Sequence, residues 1–111
     1  MFSVVRHQEP HAGGNRTVRF EGARHGSESS FFLVDADPGR GSQLHVHPYP
    51  ETWVVRHGVA EFTVGVERMR GHAGDIVVAA ANVPHRFENV GDGRLELVCI
   101  HPSPTIIQKD L

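Results

Sequence analysis

The sequence GRGSQLHVHPYPETWVVRHG, residues 39–58, decides how this 111-residue chain folds. His45 and His47 lie two positions apart in a strand-like run, so their imidazoles project from one face and can bind one ion. Glu51 follows four residues later, after two prolines that bend the chain from one strand to the next. The spacing therefore allows two imidazoles and one carboxylate to meet at one point.

The second half of the same stretch predicts a buried apolar row. A two-residue connection at positions 57–58, ending in glycine, predicts a tight hairpin between the strands on either side. Its register pairs Trp53 with Phe62, and the period of two places both on an apolar face that must be interior. Glu51 stands at the end of this row, where an ionised carboxylate is costly unless it has a partner.

Eight short runs rich in Val, Phe, Ile and Leu, punctuated by Gly, Pro, Asn and Asp, predict strands throughout the chain. These runs are Thr17–Phe20, Ser30–Ala36, Gln43–His47, Thr52–Arg56, Val59–Val66, Ile76–Ala80, His85–Val90 and Arg94–His101. No window shows the apolar recurrence of an amphipathic helix, so we expect almost no helix. Short strands at regular spacing are typical of a sandwich or barrel, and the predicted fold class is all-β.

Length and charge exclude several classes of protein. We expect one domain over residues 1–111, with an N-terminal arm at 1–16 and a C-terminal tail at 102–111. A net charge of −2 offers no cationic field for nucleic acid, and no apolar run is long enough for a membrane span. The single thiol, Cys99, cannot form an internal disulfide, which favours a cytoplasmic protein.

Two motifs in this chain resemble those of the cupin superfamily. The pattern Gly39-x5-His45-x-His47-x3-Glu51-x6-Gly58 matches the first cupin motif with no departure in spacing. Residues 74–89 resemble the second motif: Gly74, His85 and Asn89 fall in step, whereas Ala80 replaces a proline and Asn82 replaces a glycine. Because Asn tolerates left-handed backbone, the turn before His85 is expected to survive.

The resemblance implies a small antiparallel β-barrel of the jelly-roll type with a metal ion near its axis. It implies four ligands, namely His45, His47, Glu51 and His85. Three neutral imidazoles and one carboxylate leave a divalent cation at net +1, with open positions for a substrate if the ion is five- or six-coordinate. Fe or Mn is our first expectation for the metal, and Zn, Ni, Co and Cu suit the same ligands.

Two further residues are candidates for chemistry at the site. His101 ends a strand on the same side as Cys99, so it is expected to point inward and act as an acid or a base. The alternative for His101 is a histidine satisfied at the rim. Gln43 precedes His45 by two residues and should share its face, where it could hydrogen-bond a metal ligand or a bound water.

These patterns predict a metal-dependent enzyme, of dioxygenase, isomerase or lyase type, that acts on a small organic substrate. One alternative is a non-catalytic binding or sensing module with a metal pocket. Another is a metal-free cupin that modifies or binds sugars, against which the complete ligand set argues. An unpaired N-terminal strand and the apolar tail at 105–107 leave edges to cover, and we expect a homodimer.

Overall fold

Ten short strands are the main regular elements of the chain that the structure describes. The structure is a computed structural model that describes residues 1–6 and 16–111, so residues 7–15 of the expected N-terminal arm lie outside it. The strands are β1 Val18–Phe20, β2 Ser30–Ala36, β3 His45–Val46, β4 Glu51–His57, β5 Val59–Val64, β6 Glu67–His72, β7 Ile76–Ala79, β8 His85–Asn89, β9 Leu95–His101 and β10 Lys109–Asp110. One 3-10 turn, Gly22–His25, is the only helix in this part of the chain. The all-β prediction is confirmed.

The strands form two five-stranded sheets in which every pairing is antiparallel. Sheet I has the order β1-β2-β9-β4-β7, and sheet II has the order β10-β3-β8-β5-β6. The inner faces of both sheets supply the buried core, in the manner of a jelly roll. Trp53 of sheet I and Phe62 of sheet II are fully buried, and their ring centroids lie 4.8 Å apart.

The hairpin that the sequence predicted across residues 57–58 is wrong in its pairing. Strand β4 pairs with β7 on one side and β9 on the other, so neither edge is left for β5, which pairs with β6 and β8 in sheet II. Gly58 has φ +86°, and a Cβ there would lie 2.4 Å from the carbonyl oxygen of Arg94. The chain therefore crosses between sheets at Gly58. The predicted interior face survives because Trp53 and Phe62 point into the same core from opposite sheets.

Two strands were missed because their sequences lack the apolar alternation of a half-buried strand. Strand β6 reads ERMRGH, and all of its residues except Gly71 are exposed. Strand β10 has only two residues, both exposed. Each lies at an edge of sheet II, where pairing depends on the neighbouring strand rather than on burial.

The turn before β8 keeps its shape with an asparagine. Asn82 has φ +64° and is the one non-glycine residue with a positive φ among those described. Its backbone N–H donates to the carbonyl oxygen of His47 at 2.8 Å. The expectation that Asn82 would support this turn is confirmed, and the turn places His85 at the start of β8.

The outer faces of the two sheets differ in composition. Five exposed apolar side chains come from four strands of sheet I, namely Val18, Leu33, Ile76, Val78 and Ile100. Sheet II instead carries charged side chains on its outer face, among them Glu61, Arg68, Arg86 and Glu88. Within residues 1–6 and 16–111, no helix has the length and hydropathy needed to cross a bilayer.

Candidate metal centre

Four side chains from both sheets converge at one end of the core, and we call them the His/Glu cluster. They are His45, His47, Glu51 and His85, and one ligand atom of each lies within 4.8 Å of every other. The strand register explains part of this convergence, because His45 of β3 is paired with His85 of β8. Glu51 is the first residue of β4 in sheet I, so the cluster combines residues from both sheets. All four residues are buried.

The imidazoles face one carboxylate oxygen. The Nε2 atoms of His47 and His85 each lie 3.0 Å from Oε1 of Glu51, and Nε2 of His45 lies 3.9 Å from the same oxygen. The ring centroids of His45 and His85 are 4.5 Å apart. The structure thus brings together the four residues for which the sequence predicted metal ligation.

Backbone carbonyls orient all three imidazoles. Nδ1 of His45 is 2.6 Å from the carbonyl oxygen of Gln43, Nδ1 of His47 is 2.7 Å from that of Ile107, and Nδ1 of His85 is 2.9 Å from that of Val83. A carbonyl oxygen only accepts hydrogen bonds, so each Nδ1 carries the proton. In a neutral ring Nε2 is then an acceptor, and its lone pair points toward the other cluster atoms.

This arrangement leaves acceptors facing acceptors. Three Nε2 lone pairs and an anionic oxygen converge within the buried cluster, and in the neutral form of the rings none of them donates to another. Such a group is stable only if a positive charge lies among its atoms, either protons on the rings or a cation. Nitrogen and oxygen donors of this kind suit divalent transition metals, so the cluster could hold a metal ion.

The electrostatics of Glu51 agree with this requirement. Burial alone would raise the pKa of Glu51, but the hydrogen bonds that His45, His47 and His85 donate when their Nε2 atoms are protonated hold that pKa well below the ordinary range of a glutamate. Burial also opposes protonation of His45, yet the contacts with Glu51 and with the Gln43 carbonyl oxygen raise the His45 pKa overall. The cluster therefore holds an ionised carboxylate that attracts positive charge.

His101 lies beside the cluster and is oriented differently. It is buried, as the sequence predicted, and its Nε2 lies 3.7 Å from Oε2 of Glu51 without a hydrogen-bond partner among the described residues. Its Nδ1 is 2.7 Å from the hydroxyl of Tyr49, which accepts from the backbone N–H of Ile107. The hydroxyl proton is thus available to Nδ1, which leaves the ring proton of His101 on Nε2, directed at the site.

The charge state of His101 fits a neutral donor. Burial, together with the charges of the nearby His47, His45 and His85 rings, lowers the pKa of His101 to about 4, against the opposing effect of Glu51. A neutral ring has one donor and one acceptor, and Tyr49 uses the acceptor. The contact between Tyr49 and His101 has no signal in the sequence, because the two residues are 52 positions apart and no local pattern links them.

A cavity of about 270 Å³ opens from the cluster toward solvent. Its wall includes the cluster residues His45 and Glu51, together with His101 and Gln43. Gln43 is exposed, and its hydrogen bond to the cluster is made by its main-chain carbonyl. Two further wall residues, Gln108 and Asp110, come from the C-terminal tail, and no pattern in the tail sequence indicated this.

The comparisons with known proteins agree with this geometry. The model of the family described as Cupin domain matches residues 32–101. Among curated proteins, none has a sequence that matches this chain.

Solved structures of oxalate decarboxylases are similar in fold. One, from a study of the Mn(II) centres of the Bacillus subtilis enzyme, has a TM-score of 0.82 and 25% sequence identity, over 94% of this chain and 30% of that chain. Another, the formate complex of the Lactobacillus farciminis enzyme, has a TM-score of 0.79 and 23% identity, over 93% of this chain and 33% of that chain. The present chain thus spans about a third of the length of these proteins.

Proposed function

The chain belongs to the Cupin domain family, and from this premise we propose that it is a metal-dependent enzyme acting on a small organic substrate. One observation carries the proposal: three imidazole lone pairs and one carboxylate oxygen converge with no donor between neutral rings, beside a cavity open to solvent. The four proposed ligands are the members of the His/Glu cluster. Mn is the first metal to test and Fe the second, since both accept this donor set.

A bound divalent ion would polarise a carbonyl, enol or hydroxyl oxygen of the substrate as a Lewis acid. The chain itself contributes orientation and hydrogen bonding. The carbonyls of Gln43, Val83 and Ile107 fix the ligand rings. His101 presents its Nε2–H toward the cavity, where we propose that it donates a hydrogen bond to the reacting oxygen. We propose that Gln43 binds substrate at the rim rather than reacting with it.

Metal content tests the ligand assignment. Protein purified without a chelator should contain nearly one equivalent of metal, and Glu51→Gln should weaken metal binding by more than the ~10–100-fold that loss of an outer hydrogen-bond partner costs. Glu61→Gln is the matched control, because Glu61 lies on the outer face of sheet II. Trp53 is the only tryptophan, and its ring lies 5.2 Å from that of His85, so quenching of its fluorescence by Mn(II) reports occupancy.

Two results of this experiment bear on the proposal in opposite ways. Equal metal binding by the wild type and Glu51→Gln would contradict the ligand assignment. Loss of metal in Glu51→Gln with full binding in Glu61→Gln would support it.

Turnover is tested separately, by following oxygen consumption and product formation with candidate phenols, diketones and thiols. Binding of such compounds without turnover would make the chain a metal-containing binding module instead of an enzyme.

We also propose that the protein is a homodimer that buries the outer face of sheet I. The exposed side of an antiparallel sheet is ordinarily polar, as it is on sheet II, whereas sheet I carries branched apolar side chains there. A second copy of the same face supplies an apolar, self-complementary partner.

A cytoplasmic location stays a prediction from the lone cysteine.

A further inference from the structure

The composition of the cavity wall restricts what can bind beside the metal. Among the described residues that line the cavity, two have acidic side chains, namely Glu51 in the cluster and Asp110 at the end of β10. No lysine or arginine of the described residues lines the cavity. A carboxylate guest is ordinarily held by charge-assisted hydrogen bonds from such cations, most often from arginine. This wall offers none.

Two cationic side chains, those of Arg19 and Lys109, lie on strands next to the cavity wall but are not part of it. The guanidinium of Arg19 lies 5.8 Å from the centroid of the Phe32 ring and pairs with Glu21 at 3.3 Å. Lys109 alternates with the wall residues Gln108 and Asp110 along the chain, which places it on the opposite face of β10. Neither cation is part of the cavity wall.

The net charge of the loaded site disfavours an anion as well. The carboxylates of Glu51 and Asp110 together balance the charge of a divalent ion, so a dianionic guest would add uncompensated negative charge. Asp110 lies close to the cluster, since it is the register partner of His45 where β10 pairs with β3. The side chain of Asp110 accepts a hydrogen bond from Gln108 at 2.8 Å, which keeps it at the cavity wall.

The remaining wall suits a neutral guest with a hydrocarbon part. Four wall side chains are apolar, namely Phe32, Val34, Phe87 and Cys99. Neutral polar side chains line the same space, among them His101, whose Nε2 has no hydrogen-bond partner among the described residues, and Ser42, whose hydroxyl oxygen accepts from the Phe87 N–H at 3.1 Å. The cavity volume of about 270 Å³ lies just below the ~300–1,000 Å³ typical of drug-sized ligand pockets.

We propose that the substrate is a small, uncharged and partly apolar molecule with a carbonyl or hydroxyl oxygen, and that free carboxylates are excluded. The inference rests on the proposed metal-dependent function and names its substrate class. It also separates this chain from the similar oxalate decarboxylases, whose name gives a dicarboxylate as their substrate.

Paired probes of similar size test the proposal. Mn-loaded wild-type protein is titrated with acetylacetone and with oxalate, with calorimetry and Trp53 fluorescence as readouts that need no turnover. Metal content is measured first in the same sample. We expect acetylacetone to bind about tenfold or more tightly than oxalate, because the oxalate charge finds no partner in the wall. Oxalate binds divalent metals by itself, and this affinity acts against the expected preference. A preference for acetylacetone would therefore be strong support for the proposal.

The variant Asp110→Asn removes one wall charge while preserving shape. We expect oxalate to bind about threefold more tightly to Asp110→Asn than to the wild type, and acetylacetone to bind as before. Oxalate binding equal to or tighter than acetylacetone binding in metal-loaded wild type would overturn the substrate class and leave the metal site intact. Absence of metal from the protein would instead overturn the proposed function, and the substrate class with it.

Discussion

The histidines around Glu51 differ in which ring nitrogen carries the proton. In His45, His47 and His85 a backbone carbonyl holds the proton on Nδ1, so Nε2 is free to bind a metal. In His101 the Tyr49 hydroxyl occupies Nδ1, so the proton faces the site. A neutral His101 in this form cannot coordinate through Nε2. The environment of each ring thus separates three candidate ligands from one hydrogen-bond donor.

Replacement of Tyr49 by Phe tests this assignment. Tyr49→Phe keeps the stacking of the aromatic ring on His47, whose centroid lies 5.0 Å away, and removes the hydroxyl. His101 Nδ1 and the Ile107 N–H then lose their shared partner, which should cost about 1–3 kcal/mol of stability. Nitrogen NMR of the Zn-loaded protein should show the His101 proton on Nε2 in wild type and a mixture of tautomers in Tyr49→Phe. A proton on Nδ1 of wild-type His101 would contradict the assignment.

At the scale of single residues, the sequence predicted the placement of side chains that are close to one another along the chain. The two-residue spacing of His45 and His47 places both rings in the cluster, and period two correctly turned His101 inward. The hydrogen bond between Tyr49 and His101 could not be predicted, because it depends on where β9 ends relative to the loop before β4. No property of either residue alone carries that information.

The C-terminal tail is the element that connects the fold to the site. Its backbone pairs with β3, and the carbonyl of Ile107 accepts from His47 while the N–H of Ile107 donates to Tyr49. Glu21 fixes the tail from the other side, since its Oε2 accepts from the Ile106 N–H at 3.0 Å. A mostly exposed segment thus determines, through the backbone carbonyl of Ile107, the orientation of a buried ring.

Deletion of residues 107–111 should therefore weaken metal binding without removing any proposed ligand. The loss of the carbonyl that orients His47 predicts a reduction of about 10–100-fold in metal affinity. Ile107→Ala keeps the carbonyl and should bind metal as the wild type does. Calorimetric titration with Mn(II) makes the comparison, and thermal melting of both variants confirms folding. Equal affinities in the deletion variant and the wild type would show that the tail does not orient the site.

Acidification should release the tail from Glu21. The hydrogen bond from the Ile106 N–H, with a smaller contribution from Arg19, lowers the pKa of Glu21. A lowered pKa in the folded protein means that the interaction stabilises at pH values above the ordinary glutamate pKa and is lost as the pH falls through the lowered value. The amide resonance of Ile106 should therefore titrate below pH ~4.3, and this titration should be absent in Glu21→Gln. An Ile106 resonance unaffected by acid would contradict the contact.

The crossing at Gly58 shows where element-level prediction from sequence stops. Alternation along β4 and β5 correctly identified which side chains are buried, as Trp53 and Phe62 confirm. It could not identify the partner strands, because a tight turn preserves alternation whether the chain returns in the same sheet or enters the facing one. The pairing was decided by β7 and β9, which occupy both edges of β4 and lie far along the sequence.

The outer face of sheet II is charged, whereas the outer face of sheet I carries a group of exposed apolar side chains. On the outer surface of sheet I, Ile76 and Val78 are 66% and 61% exposed, which is unfavourable for side chains of this kind in an isolated barrel. The corresponding surface of sheet II carries paired charges such as Arg86 and Glu88, 3.1 Å apart. This asymmetry is the basis for the proposed dimer.

A charge placed on the apolar face should separate the dimer. Val78→Lys changes an exposed side chain, so it should alter the stability of the subunit by no more than about 0.5 kcal/mol. Light scattering after gel filtration should give the mass of a dimer for the wild type and of a monomer for Val78→Lys. Glu88→Lys on sheet II is the control and should remain dimeric. A monomeric wild type at high micromolar concentration would refute the dimer.

The use of main-chain carbonyls around the cluster has a consequence for how this protein can diversify. The three ligand rings are held by the peptide groups of Gln43, Val83 and Ile107, and a point substitution at those positions leaves the oxygen in place. Side chains of the cavity wall other than those of the proposed ligands His45 and Glu51 can then be randomised in a library with little risk to ion retention. A few substitutions should therefore be enough to change the substrate selectivity. Gln43 and Gln108 are the natural first positions to vary.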